Sequence, residues 1–480
     1  MFTRGKALGR LAGWLVTAAV VGVVAVLGAL LVNGRRADAV TVPFTRLSMA
    51  GSTAGDCKAL ADVDLDGDLD AVVGGFTTLR WFRSDGAAGW APFTVDSPGG
   101  EFTTDCQAAD MDGDGDADIV APNNAGSGAL SVYRNPRNPN GDPTVTAAWT
   151  RTTINASAGY IHDVEVADVA GDSRLDVVTR RQGNLSLWVQ NADGTWAAPQ
   201  TLNAPSGEGL ALGDLDADTD VDVVAGGAWL VNPRVGGGGW TAGPAIVPNQ
   251  AWGSAAVADM NADGVNDVVL GPLEDQGSPD LAWYSRSGGG WVKTLIKTVG
   301  VTAGQNRVHT LKVAKIDAGD SLDVVTGVMR HSNASSGGSL SVFTNDNGSW
   351  SEQVVSSTDG VHNVRVGDVE RDGDIDILAV NYAGNATPAL LWRNDRLAPP
   401  DTTPPGTPGA PSAVGAPGST SLSITWTAST DNTGGGGLKN YDVVRVNAPG
   451  GAATLATVTT NTATLTGLSP NTAYQLAVRA

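Results

Sequence analysis

This chain is poor in the residues that most often carry chemistry. Among 480 residues there are two cysteines and four histidines, and lysine is scarce. No basic stripe or run is present, which excludes the electrostatic footprint of a nucleic-acid binder. There is no nucleophile elbow, no Gly-rich phosphate loop and no zinc-protease motif. Two cysteines, Cys57 and Cys106, permit one disulfide at most. They share one context, Asp56-Cys57 and Asp105-Cys106, in neighbouring repeats. Equivalent positions on adjacent strands can come close enough to bridge, and an oxidising compartment would allow it; two buried free thiols are the alternative.

What the chain has in excess is aspartate and glycine. Seven times an Asp-rich nonapeptide recurs, best preserved as Asp62-Val63-Asp64-Leu65-Asp66-Gly67-Asp68-Leu69-Asp70. Its copies begin at Asp62, Asp110, Asp168, Asp214, Asp259, Lys315 and Asp368, spaced by 48, 58, 46, 45, 56 and 53 residues. A period near fifty is the size of one four-stranded propeller blade. The formal charge is -20, yet the copies hold 29 of the 50 acids and leave 21 acidic against 27 basic residues elsewhere. The acidity therefore belongs to the loops.

Each repeat reads as four short strands. In the last, Val364-Arg365-Val366-Gly367 alternates as an inner strand, the Asp loop turns, Ile377-Leu378-Ala379-Val380 returns, and Ala389 to Asn394 is the third strand. No fourth strand follows. The orphan Val42-Pro43-Phe44-Thr45-Arg46-Leu47 resembles the fourth strand of repeat one, Ala91-Pro92-Phe93-Thr94-Val95, so it is expected to complete blade seven and close the ring. Tryptophans opening the fourth strands (Trp90, Trp149, Trp196, Trp240, Trp291 and Trp350) are expected to pack between blades. The expected class is all-β: a seven-bladed propeller over 40–397, a Pro/Gly-rich linker over 398–418, and an immunoglobulin-like β-sandwich over 419–480 that still needs its last strand.

Positions 1, 3, 5 and 9 of each nonapeptide offer alternating oxygens that converge on one hard cation, with Gly at position 6 for the turn. Ca²⁺ is expected at about five loops. Repeat one offers Asp62, Asp64, Asp66 and Asp70; repeat two Asp110, Asp112, Asp114 and Asp118; repeat four Asp214, Asp216, Asp218 and Asp222. Repeat five offers Asp259, Asn261, Asp263 and Asp267, and repeat seven Asp368, Glu370, Asp372 and Asp376. Thr219 in place of the turn Gly makes repeat four the weakest. Ala170 should spoil repeat three, and the Lys315 ammonium should exclude an ion from repeat six. Bare Asx-turns are the alternative.

The pattern Asp-x-Asp-x-Asp-Gly-x-x-Asp resembles the FG-GAP/VCBS repeats related to the integrin α-chain propeller, over roughly Val42 to Leu397. That resemblance implies the propeller fold and bound calcium, and says little of substrate. Propellers of this kind are similar to sugar-binding lectins and to some sugar lyases and dehydratases. Beyond the linker, Ser423-Ile424-Thr425-Trp426, the strand from Tyr441 and Leu465 to Tyr474 resemble a fibronectin type III module.

His162, His309 and His362 each lie six residues before position 1, at the strand end opposite the Asp loop. The second strands return there carrying Arg180-Arg181, Arg330-His331 and Asn381-Tyr382. His162, His309, His362, Arg330 and Tyr382 are thus the candidate catalytic or binding residues at one mouth of the channel, for an anionic or sugar ligand. The alternative is that each His only caps its strand. The expected function is recognition of a polysaccharide or a cell-surface partner; the competing one is a polysaccharide lyase or glycosidase at the same mouth. A monomer is expected, with no nucleic-acid partner.

At the N-terminus Arg4, Lys6 and Arg10 precede an uncharged run from Leu11 to Val32, and Ala37-Asp38-Ala39 forms an A-x-A site. This reads as an export signal over 1–39 cleaved after Ala39, or as a retained anchor, the one expected link to a membrane. Either places the rest outside the cytoplasm.

Overall fold

The computed structural model describes residues 41–480 except 53–56, 85–88, 103, 182, 234–238, 273–279, 300–307, 330–337, 381–387, 398–405, 415, 417, 419, 431–439, 449–451 and 480. The chain divides into a unit Met1–Val42, of which 41–42 are described, and a unit Pro43–Ala480. The stretch 1–39 read as an export signal or anchor therefore lies outside the described residues, as do Arg330, His331, Asn381 and Tyr382.

Pro43–Ala480 is built almost wholly of strands. Seven four-stranded antiparallel sheets follow one another, each a meander from an inner to an outer strand. The inner strands are Lys58–Ala61, Gln107–Ala109, Asp163–Ala167, Leu210–Gly213, Gly253–Ala258, Val308–Ala314 and Asn363–Gly367. Each contacts the next in cyclic order and the last contacts the first, so the ring closes around a channel. The seventh sheet borrows its outer strand from the start of the unit: Phe44–Ser48 pairs antiparallel with Leu390–Asn394. The second strands are the most buried part of each blade, with Val72, Val120, Val177, Val223, Val268, Val324 and Ile377 all fully enclosed. β-branched residues suit this place because both sheet faces meet a neighbouring blade.

Packing lies between blades. Cys57, Ala59 and Trp81 of blade one meet Cys106, Ile119 and Tyr133 of blade two in one core. The Trp81 and Trp149 indoles both donate to the Pro143 carbonyl, at 3.1 and 2.9 Å. Cys57 and Cys106 form a disulfide with Cα atoms 4.9 Å apart and a sequence separation of 49. A loop of that length, closed in the unfolded chain, is worth about 4 kcal/mol in the chain-entropy picture.

The C-terminal module has two three-stranded sheets. One comprises Ser412–Ala413, Ser421–Thr425 and Thr462–Thr466; the other Ala453–Val458, Tyr441–Arg445 and Leu476–Arg479. Trp426 packs edge-on to Tyr441 at 5.4 Å, over Ile424, Val443 and Leu465. The Tyr474 hydroxyl accepts the Ser469 N–H at 2.9 Å, closing the corner that the sequence suggests. Ser412–Ala413 pairs with Thr425 and Ile424, so strand structure begins inside the stretch read as linker.

Candidate functional sites at the Asp loops and the channel

The Asp loops fold by satisfying their own amides. In repeat two the Asp110 carboxylate accepts N–H bonds from Gly113, Asp114 and Gly115. Asp168, Asp214, Asp259 and Asp368 do the same for positions 5 and 6 of their loops. The path needs a left-handed residue at position 6, filled by Gly67, Gly115, Gly264 and Gly373 but by Ser173 and Thr219 elsewhere. Position 4 is left-handed too, with Leu65, Ala217, Ala262 and Arg371 at φ of 57–61°. This conformation is costly for residues with a Cβ and tends to persist where the surroundings impose it.

With the loop so folded, carboxylate oxygens converge. Ligand atoms of Asp62, Asp64 and Asp66, of Asp110, Asp112 and Asp118, and of Asp214, Asp216 and Asp218 lie within 4.8 Å of one another. Buried oxygens of Asp62, Asp64, Asp216 and Asp372 have no hydrogen-bond partner. Burial pushes Asp62 and Asp64 above the usual carboxylate range, and the charge of Asp66 adds to it. Clustered acids with orphaned, desolvated oxygens fit a hard divalent cation, which supplies the missing positive charge. In repeat five Asn261 Oδ1 accepts the Asp263 N–H at 2.9 Å.

The two loops expected to fail carry their own cations. In repeat three the Arg174 guanidinium pairs with Asp172. In repeat six Lys315 replaces the first Asp, and among the described residues no loop position there is left-handed. Repeat two is mixed: Arg134 lies 2.6 Å from Asp118 and 3.5 Å from Asp112.

Position 9 has a second task that the spacing does not reveal. Asp70, Asp118, Asp176, Asp222, Asp267, Asp323 and Asp376 each accept the N–H of position 2 in their own loop, at 2.8–3.1 Å. Six of them also accept an N–H at the end of the third strand, from Ser84, Asn135, Gln190, Asn232, Asn345 and Asn394. Four of those residues then reach backwards. The side chains of Asn135, Gln190, Asn232 and Asn394 donate to Val63, Met111, Val169 and Ile316, position 2 of the preceding loop. Asp, amide and neighbouring carbonyl thus form a clip that links blade two to one, three to two, four to three and seven to six. Desolvation holds the clip acids high: Asp70 is raised to about 8 and Asp376 to about 7.

At the opposite strand ends the histidines divide. His309 and His362 stack with ring centres 3.7 Å apart, and His309 Nδ1 lies 3.0 Å from the His362 carbonyl oxygen. Burial, then the neighbouring His362, holds the His309 pKa well below the usual value. His162 has other partners, with Nδ1 2.7 Å from Glu208 and the Tyr160 ring 5.1 Å away. Arg180, expected among the rim cations, is instead 1% exposed. Its guanidinium donates to the carbonyls of Gly209, Pro205 and Ala251, in the segments that join blade three to four and four to five. Arg181 likewise donates to Ala158 at 3.2 Å. Beside them Asp163 is raised to about 7, by desolvation first and the Glu208 charge second.

Ion pairs also span the channel. Arg365 of blade seven binds Asp105 of blade two at 2.5 Å. Lys312 of blade six lies 3.8 Å from Glu165 of blade three, whose other oxygen accepts from Gln107 at 3.1 Å. Four of these residues, Gln107, Glu165, Lys312 and Arg365, share one register, three before position 1. That register reads Ala59, Gln107, Glu165, Ala211, Ala256, Lys312 and Arg365 around the ring. The histidine register shows in the sequence as one repeated residue type, whereas this one mixes types and does not.

Known proteins resemble this chain in pieces. The FG-GAP-like repeat family matches residues 62–121 and 168–225, and the fibronectin type III domain matches 406–480. The chain therefore contains FG-GAP-like repeats and a fibronectin type III domain. It is 44% identical over 108 residues to exoglucanase B of Cellulomonas fimi, 22% of this chain and 9% of that protein. It is 51% identical over 107 residues to endoglucanase B of the same organism, 22% of this chain and 10% of that one. To chitinase C of Streptomyces lividans it is 36% identical over 104 residues, covering 21% of this chain and 15% of that one. The chain thus spans about a tenth of the length of the first two. Among solved structures, an Agrocybe aegerita lectin described as recognising non-reducing terminal N-acetylglucosamine aligns with TM-score 0.43 and 20% identity, over 66% of this chain and 81% of the lectin. YCF48 from Cyanidioschyzon merolae aligns with TM-score 0.44 and 10% identity, over 74% and 100%.

Proposed function

We propose that this chain is an exported, calcium-stabilised recognition protein for carbohydrate or a cell-surface partner. The observation that carries it is the pairing of FG-GAP-like repeats with a fibronectin type III domain, in a chain whose curated relatives are named as glucanases and a chitinase. Calcium occupies the loops of repeats one, two, four, five and seven and neutralises their carboxylates. It stays out of repeats three and six. Extracellular calcium modules bind at about 10⁻⁴–10⁻³ M, so the ions fill after export, beyond an N-terminal leader. The protein acts as a monomer.

Binding without catalysis is favoured by what the described cationic side chains of the histidine end do. Arg180 and Arg181 are engaged by backbone carbonyls, and His309 lies against the His362 carbonyl. A glycan array followed by product analysis on the hits tests the reading. Retention with no new reducing ends and no unsaturated uronate absorbance supports it. Cleavage products overturn it.

One observation keeps the enzyme reading alive. His162, oriented by Glu208 at 2.7 Å beside an Asp163 raised to about 7, is a base with an acid next to it. If product forms and His162→Asn abolishes it while retention persists, a lyase or glycosidase acts at this mouth.

A further inference from the structure

The seven-membered register three residues before the Asp loops is uneven. Gln107, Glu165, Lys312 and Arg365 are long, whereas Ala59, Ala211 and Ala256 end at Cβ, the last two on adjacent blades four and five. Beside that adjacent pair the channel is not filled. A cavity of about 340 Å³ opens there, walled by Ala211, Gly213, Ala256 and Val257 and flanked by Glu165 on one side and Lys312 on the other. It reaches Ala167 and Val221, next to and within the loops of repeats three and four. It therefore lies nearer the Asp-loop end than the histidines do.

Its chemistry is specific. The Glu165 carboxylate and Lys312 ammonium are 3.8 Å apart, and their side chains keep 23% and 27% of their exposure, so a ligand can reach both. They balance one another, so the site has no call for a charged ligand. A pair of adjacent hydroxyls suits it: one donates to Glu165 and the other accepts from Lys312. Alanine and valine walls suit the C–H face of the same ring. The volume is at the small end of ligand pockets, which run from about 300 to 1,000 Å³. That is room for a small saccharide or a chain end, not for the middle of a polymer.

We propose that this channel cavity is the carbohydrate site, taking a neutral sugar through a vicinal diol held between Glu165 and Lys312. The inference rests on the carbohydrate reading above and moves its site from the histidine mouth to the interior between blades three and six. It also gives a reason for the alanines at 211 and 256, since a longer side chain at either would occupy the space.

The test uses the full chain with calcium and a panel of cello-oligosaccharides, chitin oligosaccharides and methyl glucosides, read by calorimetry. Three variants are compared with wild type: Ala256→Leu, which fills the cavity, Lys312→Met, which removes one partner, and His309→Asn at the other end. Melting temperature is recorded for each, and Ala211→Leu replaces Ala256→Leu should the latter fail to fold. The expected result is loss of binding beyond tenfold in Ala256→Leu and Lys312→Met at unchanged wild-type fold, with His309→Asn binding as wild type. If wild type binds a glycan and folded filling variants bind it equally, the cavity is not the site, and the recognition reading survives. If wild type binds no member of the panel, the carbohydrate reading falls and this proposal with it.

Discussion

The loops of repeat one and repeat six differ at two of the four predicted ligand positions and share the bonds made by their last Asp. Repeat one gathers Asp62, Asp64 and Asp66 and leaves buried oxygens without partners. Repeat six has Lys315 at the first position and Gly319 at the fifth. Yet Asp70 and Asp323 are both buried, and both accept N–H bonds from position 2 and from the end of the third strand. The difference teaches that a nonapeptide does two separable jobs. Its last Asp clips the blade and survives everywhere. Its first acids converge within 4.8 Å in repeats one, two and four, the geometry a cation would need, and in repeat six a lysine stands at their first position.

That separation can be broken by mutation. Removing a clip acid leaves two buried amides unpaired, each at about 1–3 kcal/mol. Asp323→Ala and Asp70→Ala should each lose about 3 kcal/mol in denaturant melts with chelator present. If Asp323→Ala is neutral while Asp70→Ala is not, the clip is a by-product of the metal site. A smaller effect is expected from the ligands alone. Asp62→Asn with Asp64→Asn should lower the melting temperature by a few degrees in calcium and leave it unchanged or raised in chelator, where two repelling carboxylates are relieved. The same loss in both conditions would mean that these acids act as loop hydrogen bonders only.

The smallest expected effect concerns the opposite strand ends. His309 is held neutral in the fold, so it binds its proton less tightly there than in the unfolded chain. Stability from this group is intact above the unfolded value of about 6.5 and declines as pH falls below it. His309→Asn should therefore narrow the gap in melting temperature between pH 7 and pH 5. An unchanged gap would show that His309 does not titrate against the fold.

The period of the Asp loops made much of this legible in the sequence. It phased the blades, placed the inner strands and marked Ala170 and Lys315 as departures. The closing strand was visible because Pro43-Phe44-Thr45 repeats Pro92-Phe93-Thr94. What was not legible depends on contacts between blades. Asn394 reaching Ile316, or Lys312 facing Glu165, joins residues of separate repeats, and a repeat pattern gives each blade's register but not which long side chains meet across the ring. Arg180 departs from its expected exposure for a related reason. A cation at a strand end reads as exposed, but the turns of neighbouring blades close over it and take its donors.

The most direct test of the account is the number of calcium ions held per chain, counted by elemental analysis of gel-filtered protein and located by anomalous scattering from a crystal. About five are expected, at repeats one, two, four, five and seven. No calcium at all, or an ion seated beside Lys315 in repeat six, would contradict it.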